Sequence, residues 1–124
     1  MKKGRILVVE DEESLLMLER ILLSSKGYSV TGVMDGKAAL EEIAANRPDL
    51  VILDIMLPEM DGFEVCKQIK ADPQTSGIPV VMLTAKKSNQ DVTRGMQVGA
   101  DAYITKPFKS AKVIEVIEGL LGKQ

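Results

Sequence analysis

The sequence predicts an α/β fold, a five-stranded parallel sheet with five helices packed on both faces. Three observations carry that prediction. Five short apolar runs alternate with five stretches of helical spacing along the whole chain. Three of the runs, Ile6–Val9, Leu50–Leu53 and Val80–Leu83, lack polar alternation, as central strands covered on both sides require. The chain has 124 residues and no linker-like, repeated or low-complexity segment, so it reads as one domain over 1–124 with a core of about 4–122.

Ile6–Val9 is the first strand. The first helix spans about 13–26, with Glu12 and Glu13 placing favourable negative charge at its start. Leu15, Leu18 and Leu22 are expected to face the core, with Met17 and Ile21 as an i,i+4 pair on roughly the opposite side. Gly27 reads as the helix cap, and the more polar second strand, Ser29–Val33, as lying nearer an edge. A second helix spans about 36–45, and Pro48 prevents its continuation into the third strand, Leu50–Leu53.

The third helix spans about 61–71, where Cys66, spaced with Phe63 and Ile69, reads as a small packing residue. The polar loop from Ala71 to Gly77 carries no assigned chemistry, and Pro79 precedes the fourth strand, Val80–Leu83. Gly95 lies inside the fourth helix, about 88–97, where glycine costs about 1 kcal/mol relative to alanine. Mobility and close packing are equally good reasons for it. Gly99 caps that helix, Ala102–Thr105 is the second edge-like strand, and the fifth helix spans about 109–121.

Composition excludes several chemistries. There is no histidine and only one cysteine, Cys66, so zinc fingers, Ser–His–Asp triads, Cys–His nucleophiles and disulfide frameworks are impossible within this chain. The formal net charge of −2 gives no electrostatic reason for nucleic-acid or membrane binding, and neither is expected. The basic start, Met1 to Arg5, precedes an apolar run too short for a signal peptide, so a cytoplasmic location is expected.

Parallel strands share a carboxyl end, where open α/β sheets bind their ligands. Glu10 and Asp11 follow the first strand, Asp54 the third, Thr84 the fourth, and Lys106-Pro107 the fifth. Any one of these alone reads as a cap, a turn residue or a surface lysine. Together they bring three carboxylates, a hydroxyl and an ammonium to one rim. Three facing carboxylates need a strong counter-charge, and a hard divalent cation such as Mg²⁺ suits an all-oxygen donor set. With the charge balanced, one carboxylate can accept a phosphoryl group, which mainly requires positioning and neutralisation of its oxygens. Asp54 directly ends the most apolar strand and is the expected nucleophile.

These residues resemble the receiver domain of bacterial two-component response regulators, across about residues 4–122. The resemblance rests on Val9-Glu10-Asp11, Leu53-Asp54, Leu83-Thr84-Ala85 and Tyr103-Ile104-Thr105-Lys106-Pro107-Phe108. Asp49-Leu50-Val51, Met56 through Gly62, and Gly99-Ala100-Asp101 extend it. It implies the flavodoxin-like strand order 2-1-3-4-5. It also implies that Asp54 accepts phosphate from a histidine on a partner kinase or histidine phosphotransfer protein. Asp11, Asp54 and the main-chain oxygen of Met56 would hold Mg²⁺, and Glu10 would act through a metal-bound water. Thr84 and Lys106 would contact the phosphoryl oxygens, Ala85 would leave Thr84 room to move, Tyr103 would be the aromatic switch, and Lys106-Pro107 a cis peptide. The output surface would comprise the fourth helix, fifth strand and fifth helix, acting on an unknown downstream effector as a monomer or phosphorylation-dependent dimer. Such a domain is a phospho-acceptor, not an enzyme acting on a separate substrate.

Some positions are specific to this chain. Met56 and Lys86 stand two residues beyond Asp54 and Thr84 and provide no acid or amide to orient water, which predicts slow self-dephosphorylation. Met17 and Ile21 are candidates for docking a kinase's helical bundle. Ala102 stands where transcription-factor receivers often place an Asp used in a charged dimer surface. A Mg²⁺-dependent phosphatase with an aspartyl intermediate would usually carry an acid where Met56 stands. A flavin carrier would want a phosphate loop and more aromatic residues, and a receiver that no longer takes phosphate would not need the intact Asp11, Asp54, Thr84 and Lys106 set.

Overall fold

The computed structural model describes residues 3–122; Met1 and Lys2 of the basic start, and Lys123 and Gln124, lie outside them. The elements alternate as β1 (Arg5–Val9), α1 (Glu13–Ser25), β2 (Ser29–Val33), α2 (Gly36–Ala45) and β3 (Leu50–Leu53). They continue as α3 (Gly62–Ala71), β4 (Val80–Thr84), α4 (Asn89–Gln97), β5 (Ala102–Thr105) and α5 (Ser110–Leu121). All four strand pairings are parallel and the order is β2-β1-β3-β4-β5, as expected. The two more polar strands are the edges.

Side-chain alternation along the strands divides the core into two layers. Leu7, Val9, Val51, Leu53, Val80 and Met82 pack towards α2 and α3. Ile6, Val8, Ile52, Val81, Leu83 and Ile104 pack towards α1 and α5. Helices α2, α3 and α4 each begin one residue after a capping side chain, in which Asp35, Asp61 and Ser88 accept from Ala38, Glu64 and Asp91 N–H groups. Gly27 and Gly99, after α1 and α4, adopt φ of 98° and 101°, a region glycine enters without strain.

One expectation is overturned in α1. Its buried residues are Leu16, Glu19 and Leu23, whereas Leu18 is 52% exposed and Leu15 and Leu22 are half-buried. The helix is apolar around so much of its circumference that two stripes fit the 3.6-residue period. Strand β2 decides between them. Its Gly32 lacks a side chain, and a Cβ there would lie 2.8 Å from Leu16 Cδ1, so Leu16 is the residue that packs against the sheet.

Candidate functional site

The carboxyl ends of β1, β3, β4 and β5 meet at one rim, and the backbone ladder fixes each residue there. Glu10 N–H donates to Val33 O at 3.0 Å, Asp54 N–H to Val9 O at 3.1 Å, and Lys106 N–H to Thr84 O at 2.8 Å. The loop after β3 folds back so tightly that a Cβ on Gly62 would collide with the Asp54 carbonyl oxygen. Glycine at the start of α3 therefore lets that helix pack directly beneath the Asp54 peptide.

On this scaffold Glu10, Asp11 and Asp54 each present a carboxylate oxygen within 4.8 Å of the others. Lys106 Nζ bridges two of them, donating to Glu10 Oε1 at 2.7 Å and to Asp54 Oδ2 at 2.9 Å. The second Asp54 oxygen accepts from Met56 N–H at 3.0 Å, and the second Glu10 oxygen from Glu12 N–H at 3.2 Å. Glu10, Asp54 and Thr84 are buried, whereas Asp11, Ala85 and Lys86 are exposed. Burial lowers the Lys106 ammonium, but its hydrogen bonds to Glu10 and Asp54, together with the charges of those two carboxylates, outweigh that and raise it, so it remains charged. Burial raises the Glu10 carboxyl, an effect its hydrogen bond to Lys106 only partly offsets.

Three carboxylates thus face one ammonium, leaving two formal negative charges in a partly dry rim. A divalent cation would balance that excess, and the exposed Asp11 carboxylate would give it an approach. The all-oxygen donor set fits Mg²⁺ and disfavours softer metals.

Two further residues complete the neighbourhood. Thr84 Oγ1 accepts from Lys86 N–H at 3.3 Å, and Lys86 O accepts from the Tyr103 hydroxyl at 2.6 Å, so Lys86 links the two side chains through its main chain. Tyr103 is half-buried, and burial, then the charges of Asp91 and Asp54, raise its phenol. The Lys106–Pro107 bond is cis. Met56 is 53% exposed at the mouth of a recess of about 500 Å³, shared with Asp11, Asp61, Lys86, Asp91 and Arg94.

The sequence pattern missed Glu19. It is 3% exposed, and its Oε2 is the one buried side-chain polar atom without a hydrogen-bond partner among the described residues. Burial, reinforced by the negative charge of Glu10, pushes its carboxyl up to about 8. An acidic residue at i+3 from Leu16 and four before Leu23 was a readable signal once the correct stripe was known. Met17 and Ile21, 60% and 62% exposed, flank a groove of about 470 Å³ on α1 that does not reach the acidic cluster. Cys66 is fully buried, and burial lifts its thiol to about 11, which leaves it unreactive.

The response regulator receiver domain model matches residues 6–118, spanning every one of these site positions. The chain belongs to the response regulator receiver domain family. It is 45% identical over 119 residues to the DNA-binding response regulator MtrA of Mycolicibacterium paratuberculosis, covering 96% of this chain and 52% of that protein. It is 44% identical over 117 residues to the alkaline phosphatase synthesis transcriptional regulatory protein PhoP of Bacillus subtilis, covering 94% of this chain and 48% of that one. Among solved structures, it is similar to chemotaxis protein CheY4 of Vibrio cholerae, with a TM-score of 0.89 and 30% identity over 94% of this chain and 98% of that one. The chain therefore spans about half the length of these curated relatives.

This receiver domain is a signalling module of two-component systems. The expectation of no direct nucleic-acid binding does not stand, because relatives that match almost the whole chain are named DNA-binding response regulators. The net charge of −2 describes these 124 residues alone and carries no information about the other half of such a protein. Among the described residues no helix is long and apolar enough to cross a membrane.

Proposed function

We propose that this receiver is a phosphorylation-dependent switch with Asp54 as the phospho-acceptor. The observation that carries the reading is the Lys106 ammonium spanning Glu10 and Asp54 inside a cluster of three carboxylates. A partner kinase or phosphotransfer protein supplies phosphohistidine; its N–P bond breaks as an O–P bond to Asp54 forms, and the imidazole leaves. Glu10, Asp11, Asp54 and the main-chain oxygen of Met56 would hold Mg²⁺, which supplies charge neutralisation for the phosphoryl oxygens. Lys106 gives up part of its contact with the carboxylates to meet the phosphoryl group, and Thr84 donates its hydroxyl to another oxygen.

That exchange alters what Thr84 offers Lys86 and, through Lys86, what holds Tyr103, so the α4–β5–α5 surface responds. Met17 and Ile21 would seat the helical bundle of the phosphodonor beside the cluster. Joined to an output segment in a protein of the length of the DNA-binding response regulator MtrA, the receiver would govern binding of DNA, in a cytoplasmic setting. Met56 argues against a phosphatase, since no acid stands there to activate water.

Incubation with Mg²⁺ and acetyl phosphate, followed by intact-mass and peptide analysis, tests the acceptor. A single added phosphoryl group on Asp54 is expected, with none in Asp54→Ala. Equal labelling of that variant refutes the assignment, and sustained turnover of free phosphate esters favours the phosphatase. Charged substitutions at both Met17 and Ile21 should slow transfer from a phosphohistidine donor while leaving labelling by acetyl phosphate intact; unchanged transfer from both donors removes the docking role.

A further inference from the structure

Helix α4 is held to the domain in a peculiar way: its one fully buried residue, Gly95, has no side chain. The space that a side chain would occupy is filled from below. A Cβ on Gly95 would lie 2.9 Å from both Cδ2 and Cε2 of Tyr103 and 3.0 Å from Met82 Sδ. Met82 and Tyr103 are register partners on β4 and β5, so the notch lies above the seam between those strands. The Tyr103 ring rests in it, with its hydroxyl held by Lys86 O at 2.6 Å, while Lys86 N–H reaches Thr84 Oγ1 at 3.3 Å.

We infer that Gly95 is the positioning residue of Tyr103: the notch it leaves seats the ring against the β4–α4 loop and thereby couples α4 to Thr84. The coupling to phosphorylation rests on the switch function proposed above; the seat itself rests on geometry alone. An ordinary helix interior favours alanine over glycine. Here alanine would drive its methyl group into a ring whose hydroxyl is already tethered. Removing the ring removes the two nearest contacts and opens space into which Met82 Sδ, the third, can give way, so the same substitution should then become favourable. That reversal of sign is specific to a seat, because a mobility role for Gly95 would not depend on Tyr103.

The test uses the full chain in a Tyr28→Phe background, which leaves Tyr103 as the single tyrosine in a protein without tryptophan. Parent, Gly95→Ala, Tyr103→Ala and the double variant are unfolded in urea without metal, followed by circular dichroism. Gly95→Ala should lower the midpoint of the parent and raise that of Tyr103→Ala; a shift of the same sign in both overturns the seat. Should Gly95→Ala alone fail to fold, recovery in the double variant supports the seat, and failure of both variants overturns it.

Titration with BeF₃⁻ in Mg²⁺, read by Tyr103 emission, then tests the coupling. Gly95→Ala should move half-saturation at least threefold or suppress the emission change, and an unaltered titration overturns the coupling. A parent that does not respond to BeF₃⁻ refutes the switch itself, whereas the unliganded midpoints still decide the seat.

Discussion

The two ends of the same sheet use acidic residues in opposite ways. At the amino end, Asp49 precedes β3 and accepts from the first N–H of the neighbouring β1, Arg5, at 2.8 Å. Asp101 precedes β5 and accepts from the first N–H of β4, Val80, also at 2.8 Å, while Lys70 donates to the same Asp101 oxygen at 3.0 Å and to Ile78 O at 2.7 Å. Each carboxylate there ties two adjacent strands together. At the carboxyl end, Glu10, Asp11 and Asp54 face one another over a single ammonium. Acidic residues at strand ends are common to both rims, so their presence does not define a site. What defines it is like charges held together without enough counter-charge, an arrangement that disfavours the metal-free fold and would favour a bound cation.

The widest gap between the rims should appear on exchanging equivalent residues. Asp54→Ala should reduce acetyl phosphate labelling at least 100-fold without lowering the urea midpoint, because it relieves repulsion. Asp101→Ala should leave labelling unchanged. Labelling that depends equally on both residues would erase the distinction between the two ends.

Next in size is the pH dependence set by Glu19, which lies in the core behind the carboxyl rim. Its folded carboxyl holds a proton up to about 8, against an ordinary value of 4.5. Between those values the folded state binds more protons than the unfolded chain. Its contribution is therefore fully present below about 4.5 and is lost as pH rises through about 8. The loss should be on the order of 3–5 kcal/mol, read from urea unfolding in EDTA at pH 5 and 9. Glu19→Gln should flatten that dependence. An equally steep profile in the variant assigns the effect to another group.

At the amino rim the effect is smaller and opposite in character. Asp101→Ala leaves Val80 N–H and the Lys70 ammonium without their carboxylate, and should lower stability by about 1–3 kcal/mol at pH 7. A neutral result in urea unfolding would mean that water replaces the cap and that the strand tie contributes little.

Much of this is legible in the sequence. Unbroken apolar runs identify β1, β3 and β4 because both faces of those strands are covered, and the residue after each run then falls at the rim by necessity. Helix α1 was not legible, since periodicity cannot choose between two apolar stripes; the choice lies in Gly32 on β2, a contact between elements. Glu19 was hidden by the same ambiguity. Asp49 and Asp101 stand out in sequence as signatures, but their work as strand ties appears only in the register of β1 against β3 and of β4 against β5. The role of Gly62 depends on a loop returning to Asp54, and the seat at Gly95 on a ring from β5. These are packing facts between segments far apart in the chain.

The smallest expected effect concerns the lifetime of the phosphoryl group at the carboxyl rim. Hydrolysis needs a water aligned with the O–P bond, and an acid or amide two residues beyond Asp54 is the natural group to hold it. Met56 occupies that place, 53% exposed, and its thioether is a weak acceptor that cannot orient water. Lys86, across the recess, supplies positive charge but no base. The isolated phospho-protein should therefore decay over minutes or longer, and Met56→Asn should hasten decay three- to tenfold, a change of about 1 kcal/mol in the barrier. Decay of the unaltered protein within seconds would show that water is ordered by some other group, with the exposed Asp11 and the half-buried Asp61 of the same recess the first to replace.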